Sequence, residues 1–186
     1  MTSVSPSTVL VTGPSRSGKS EWAERLAANH EHAGQQITYV ATAIIDSTDH
    51  EWSARIERHL QRRPSSWQTL QVPMDLSQAI QAAGQIECLL IDSLGTWTAN
   101  GLEFDDELWN THCQELFNAI ARSQCSLIFV AEETGWGVVP AYPTGRRFRD
   151  RLGTLTRHVG AIANTTYLVT AGHVLNLTKL GTHLDI

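Results

Sequence analysis

Five short runs of nearly unbroken apolar and β-branched residues punctuate the chain: TVLVT (8–12), ITYVA (37–41), CLLID (88–92), SLIFVA (126–131) and TYLVT (166–170). Continuous apolar runs of this length, rather than strict alternation, are what strands covered on both faces require. A sixth run, VLNLT (174–178), follows the fifth after only AGH, which is too short for a crossover, so an antiparallel hairpin partner is expected there. Between the runs the apolar spacing becomes helical. One such stretch follows Lys19, with Trp22 and Leu26 on one face. A second begins near Thr48, where Thr48 and Glu51 offer a capping box and Trp52, Ile56 and Leu60 recur every fourth residue; others cover about 75–83, 105–122 and 146–163. The alternation of strand and helix predicts an α/β fold with a mostly parallel sheet and helices on both faces. Residues 1–7 are expected to form a disordered tail and 8–186 a single domain.

Composition narrows the function classes. With 186 residues, 41% of them hydrophobic, the chain is long enough to bury one substantial core. A formal net charge of −5 disfavours non-specific binding to nucleic acid or an anionic membrane. The cations are nevertheless clustered: four of the 14 Lys and Arg fall between Arg55 and Arg63, and four more between Arg146 and Arg151. Such clusters are either small-anion sites or solvated helix faces. Cys88, Cys113 and Cys125 stand far apart with no CxxC pair, as reduced thiols of a cytosolic protein do. The histidines form no HExxH pattern, so a structural zinc is not expected. The opening MTSVSPS has neither a charged n-region nor an apolar h-region, and no apolar run approaches a membrane span, so a cytoplasmic location is expected.

The chemistry is most legible where the first run ends. Gly13, Pro14, Ser15, Arg16, Ser17, Gly18, Lys19 and Ser20 fit G-x-x-x-x-G-K-[ST], between a strand and a helix. The glycines let backbone N–H groups point inward, the helix N-terminus adds positive potential, and Lys19 reaches the outer phosphates of a nucleoside triphosphate. Ser20 is the expected Mg²⁺ ligand. Mg²⁺ also calls for a carboxylate close by, and Asp92 at the end of CLLID supplies one; the alternative is that Asp92 merely caps the next turn. Arg55 and His59 lie four apart at the border of the Trp52, Ile56, Leu60 stripe, a position that spacing alone reads as structural as readily as catalytic.

The pieces VTGPSRSGKS, YVATA, DHEWSARIERH, LLIDSLGTWTAN, EETGWGVVP, RRFRDRLG and AGHVLNLTK run in one order from the first strand to Lys179. In that order the chain resembles the bifunctional adenosylcobinamide kinase/adenosylcobinamide-phosphate guanylyltransferase family of cobalamin assembly. The resemblance implies a RecA-like P-loop fold and a homotrimer. It also implies two reactions: phosphorylation of adenosylcobinamide, then GMP transfer from GTP to the resulting phosphate through a guanylylated histidine. That histidine falls on His59; nearby His50 stands where the family tends to have an acid. By the same resemblance the nucleotide, GTP or ATP, contacts Gly13 to Ser20, Thr42, Ala43, Ile44, Leu60, Gln61, Arg62, Arg63, Gln71 and Asp92, with Lys19 and His59 catalytic and Ser20 and Asp92 on Mg²⁺. Gln71 replaces a frequent glutamate, Asp92 is a shorter acid than usual, Glu133 is the acid matched in EETG, and Thr156 and Arg157 stand where Asn-Gln is frequent. A single-activity small-molecule kinase and a non-catalytic nucleotide-dependent regulatory module are the alternative readings of the residues.

Overall fold

The computed structural model describes residues 6–44 and 63–184; the helix expected from Thr48 to Leu60 lies outside them. Among the described residues the sheet has seven strands: β1 (Thr8–Gly13), β2 (Gln36–Ala41), β3 (Gln68–Gln71), β4 (Glu87–Asp92), β5 (Ser126–Glu132), β6 (Thr165–Thr170) and β7 (His173–Asn176). Their spatial order is β3-β2-β4-β5-β1-β6-β7. All neighbours pair in parallel except β6 and β7, which form the expected antiparallel hairpin. Ala171 and Gly172, at φ 49° and 75°, make its turn; the second is a position where glycine carries no steric cost.

The central strands β1, β2, β4 and β5 are covered on both faces, which explains their unbroken apolar runs. Leu10, Leu89, Ile91, Leu127 and Phe129 face one side and Val9, Val11, Leu90, Ile128 and Val130 the other. Against the second face lies α1 (Lys19–His32), through Ala23 and Ala27. The first face is covered by α2 (Leu76–Ala82), α3 (Leu94–Asn100), α4 (Asp106–Arg122) and α5 (Pro143–Ile162), through residues such as Ile80, Trp97, Leu116, Leu152 and Leu155. A short α6 (Leu177–Leu180) follows β7, so the run read as a strand to 178 turns helical at 177, where the Asn176 side chain caps it.

Local chemistry sets the helix ends. Asp105 accepts a hydrogen bond from the Leu108 N–H at 2.8 Å and caps α4, whose first turn carries Asp106 and Glu107 and whose last carries Arg122. Helix α5 starts at Pro143, three residues before its expected beginning, because a proline at the first helical position gives up only an N–H that has no helical partner. Two elements have no counterpart in the hydrophobic pattern. Strand β3, QTLQ, is exposed along its whole length at the sheet edge and therefore carries no apolar run. Helix α3, LGTWTAN, is built from poor helix formers and is held instead by the Ser93 cap and by burial of Leu94 and Trp97.

The basic start of α5 is largely structural. Arg151 is buried, donates to the Gly101 and Phe104 carbonyls at 2.9 and 2.8 Å, and pairs with Asp106 at 2.9 Å. Arg146 donates to the carbonyls of Pro140 and Ala141, and Arg147 to that of Leu102. These arginines satisfy loop carbonyls and so fix the chain around α3 and α5.

All three cysteines are free and buried. Burial pushes the Cys88 and Cys113 thiols up to about 12 and raises that of Cys125 as well. The folded protein therefore keeps these thiols protonated above their ordinary value of 9.0, and the stability that depends on the neutral form is lost only as pH rises from there towards 12. At pH about 8 a thiol-exchange reagent is expected to modify none of the three until denaturant is added, since the thiolate is the reactive species. Rapid native-state reaction of any one of them contradicts this.

Candidate active site

The site lies at the carboxyl edge of the sheet, where β1, β2, β4 and β5 end. From β1 the chain passes directly into the loop Gly13–Ser20. A side chain at Gly13 would run into the Val169 carbonyl of β6 and the Ser17 hydroxyl, so the neighbouring strand itself demands glycine. Gly18, at φ 94°, turns the chain into α1 without offering a side-chain cap. The first amides of α1 are thus left for an anion, at the positive end of the helix. Lys19 is only 5% exposed, and its ammonium donates to the Pro14 carbonyl at 3.4 Å across the loop. Ser17 Oγ is buried with no partner among the described residues.

Opposite the loop, the ends of β2, β4 and β5 contribute the other wall of a cavity of about 340 Å³ lined by Lys19, Ser20, Tyr39, Arg63, Asp92 and Glu132 among others. The Tyr39 hydroxyl donates to Asp92 Oδ2 at 3.0 Å; burial first, and Asp92 second, raise its phenol so that it stays a donor. The Arg63 guanidinium stacks over the Tyr39 ring, 3.2 Å from its centre. Its position is set by the returning chain: Trp67 Nε1 and Ser66 Oγ both donate to Glu31 of α1, at 3.0 and 2.7 Å. The side chain of Gln71 donates to the Ala43 carbonyl, closing the β2–β3 rim.

Glu132 is the acid that the motif reading passes over. It ends β5 in register with Gly13, accepts from Ser93 Oγ at 3.0 Å and overlies Gly95 so closely that a side chain there would strike its carboxylate. Burial raises its carboxyl above the ordinary range, Lys19 opposes that shift and Asp92 adds to it. Glu133, the acid matched by motif, instead accepts from the Gly135 N–H at 2.6 Å, within its own loop. A glutamate closing an apolar strand, as Asp92 does, was the available signal.

The expected residues therefore divide. Ser15, Lys19, Ser20, Ala43, Arg63, Gln71 and Asp92 line one cavity. Gly13, Pro14, Arg16, Ser17 and Gly18 shape its phosphate loop. Thr42 is fully buried behind it, its hydroxyl donating to the Ser93 carbonyl at 2.8 Å and accepting from the Ser93 N–H at 2.9 Å, so its side chain joins β2 to the β4–α3 turn. Ile44 is exposed. His59, Leu60, Gln61 and Arg62 lie outside the described residues. Ser93, not Asp92, caps α3, which leaves the Asp92 carboxylate on the cavity wall. Hydroxyl and carboxylate oxygens from Ser20 and Asp92, facing one space beside a phosphate loop, are the hard donor pair that Mg²⁺ prefers.

A parallel sheet with this loop between β1 and α1, and an acid ending a neighbouring strand, defines a P-loop nucleotide-binding α/β protein. The sequence model of the CobU family, cobinamide kinase / cobinamide phosphate guanyltransferase, matches residues 9–177, and the chain belongs to that family. It is 35% identical over 165 residues to the bifunctional adenosylcobalamin biosynthesis protein CobP of Pseudomonas aeruginosa, covering 88% of this chain and 92% of that protein. It is 34% identical over 179 residues to the bifunctional adenosylcobalamin biosynthesis protein CobU of Escherichia coli K12, covering 88% and 96%. A solved structure from Pyrococcus horikoshii OT3, project PH0250, shares the fold with a TM-score of 0.57 at 7% identity, over 97% of this chain and 89% of that one.

Proposed function

We propose that this chain carries out both reactions of its family at the cavity between the phosphate loop and the ends of β2, β4 and β5. It is a nucleotide-binding transferase of cobalamin biosynthesis, a cobinamide kinase and cobinamide phosphate guanylyltransferase. In the first reaction the aminopropanol hydroxyl of adenosylcobinamide attacks the γ-phosphate of ATP or GTP; the O–P bond forms and the nucleoside diphosphate leaves with its bridging oxygen. Lys19 and the loop amides hold the charge that moves onto the leaving group, and positioning supplies most of the catalysis. In the second, His59 attacks the α-phosphate of GTP and pyrophosphate leaves. The phosphate of the first product then displaces the imidazole, giving adenosylcobinamide-GDP and the free histidine.

Mg²⁺, held by Ser20 and Asp92, would neutralise phosphate oxygens during both transfers. Tyr39 keeps the Asp92 carboxylate oriented from behind, and Arg63 supplies a fixed positive charge at the rim. The working unit is a cytoplasmic homotrimer. Among the described residues no helix is long and apolar enough to cross a membrane.

The observation that carries this reading is the convergence of Lys19, Ser20, Asp92 and Glu132 on one cavity. Purified protein with ATP and Mg²⁺ is expected to convert adenosylcobinamide to its phosphate; failure to do so with bound nucleotide and intact fold would overturn it. Gly95→Ala provides a finer check. Its methyl displaces the end of a flexible glutamate rather than backbone, so the stability cost stays below about 1 kcal/mol, while the Glu132 carboxylate is driven off Ser93. The expected result is a melting temperature lowered by no more than about 4 °C, with a kinase turnover at least about tenfold lower, since misplacing a site group by an ångström can cost about a hundredfold.

A further inference from the structure

A second cavity, of about 690 Å³, lies on the α5 side of Glu132. Its walls come from β1, α5, the start of β6 and the segment around Leu177–Leu184. Glu132 and Thr134 line both this cavity and the phosphate cavity, so the two share a wall at the end of β5. Its volume is about twice the 340 Å³ of its neighbour.

The lining has an unusual stock of unused polar atoms. Thr12, one residue before the phosphate loop, is 8% exposed, and its Oγ1 has no hydrogen-bond partner among the described residues. The same holds for Thr156 Oγ1 and for Nη1 of Arg149, whose Nη2 donates to the Gly135 carbonyl at 2.9 Å. Buried groups of this kind cost stability unless something pairs them. Between them the floor is apolar, from Leu10, Gly160 and Ala161. Apolar surface with a few convergent, unsatisfied polar groups is the composition of a small-molecule site.

We propose that this second cavity receives the aminopropanol-bearing edge of adenosylcobinamide, the acceptor, with the rest of the corrinoid outside its mouth, and that the aminopropanol arm crosses the Glu132–Thr134 wall to the phosphates. The occupant needs an apolar surface broad enough for the floor, neutral groups that both donate and accept for the threonines, and an acceptor for Arg149. A corrin fringed with primary amides has all of these, and a free anion does not. The shared wall explains how a large acceptor lies outside the nucleotide cavity while its hydroxyl reaches it. This inference rests on the phosphate loop being the nucleotide site.

Gly153 supplies the test. It lines the cavity in the middle of α5, and a Cβ there meets nothing within 4 Å. Gly153→Phe therefore starts from an unobstructed Cβ on the cavity wall and is expected to occupy part of the cavity, and replacing a mid-helix glycine removes a helix penalty. Initial rates of adenosylcobinamide phosphorylation are expected to show a KM for adenosylcobinamide raised at least about tenfold, with the KM for ATP within about twofold because the nucleotide cavity is untouched. Thr12→Val keeps shape and removes only the unpaired hydroxyl; it is expected to raise the same KM about fivefold, the loss of one hydrogen bond. The inference is overturned if both variants leave the acceptor KM unchanged, or if Gly153→Phe alters only the oligomeric state, which would make the cavity a subunit contact. Lys19→Ala separates the two readings. If it spares nucleotide binding while Gly153→Phe raises the acceptor KM, the nucleotide assignment fails and the acceptor pocket stands.

Discussion

Lys19→Ala is expected to lower the rate of adenosylcobinamide phosphorylation by about a thousandfold and to weaken nucleotide binding, with a folded protein retained. The ammonium is buried at the start of α1 and donates to the Pro14 carbonyl at 3.4 Å. It is therefore held in place before a phosphate arrives and needs little reorganisation to meet one. Removing a single preorganised charge of this kind from a water-poor site costs about 10²–10³ in turnover. Here the loss is at the upper end, because Glu132 and Asp92 remain on the opposite wall and the site turns from balanced to acidic. Lys19→Arg is not expected to rescue, since a planar guanidinium does not reproduce the compact three-donor ammonium that meets the phosphates. Turnover within tenfold of wild type would show that the phosphates lie elsewhere.

His59→Ala is expected to divide the two activities. GMP transfer falls by at least about a thousandfold, because the covalent route disappears with its nucleophile. Phosphorylation stays within a few-fold, because γ-phosphoryl transfer needs positioning and charge but no enzyme-bound intermediate. The comparison is made on one preparation, with ATP and adenosylcobinamide for the first reaction, and GTP with adenosylcobinamide phosphate for the second. Equal loss of both would mean that His59 supports the fold or the shared nucleotide site.

The central strands were legible because burial on both faces forces an unbroken apolar run, and the phosphate loop because few sequences meet its steric demands. Gly13, pressed against the Val169 carbonyl, shows why that motif is strict. Strand β3 was not legible, since an exposed edge pairs through its backbone and leaves no mark on side-chain pattern. Helix α3 was hidden for the opposite reason: tertiary burial of Trp97 and the Ser93 cap outweigh the weak helix preference of Gly and Thr. Within the site, Asp92 was found by its place at a strand end, whereas Glu132, equally placed on β5, was passed over for Glu133 next to it. Only register decides between the two, by setting Glu132 beside Gly13 and Ser93. Charge clustering was the least faithful signal. The arginines at 146, 147, 149 and 151 all bind backbone carbonyls, and of these Arg149 also keeps a buried nitrogen with no partner among the described residues.

The most direct test uses GTP labelled at the α-phosphate, mixed with purified protein and Mg²⁺ and then denatured. Wild type is expected to retain one label per chain, stable to alkali and released by acid as a phosphoramidate is, while His59→Ala retains none. Absence of label from wild type that demonstrably binds GTP, or equal label on the variant, would contradict a guanylylated histidine at the phosphate cradle.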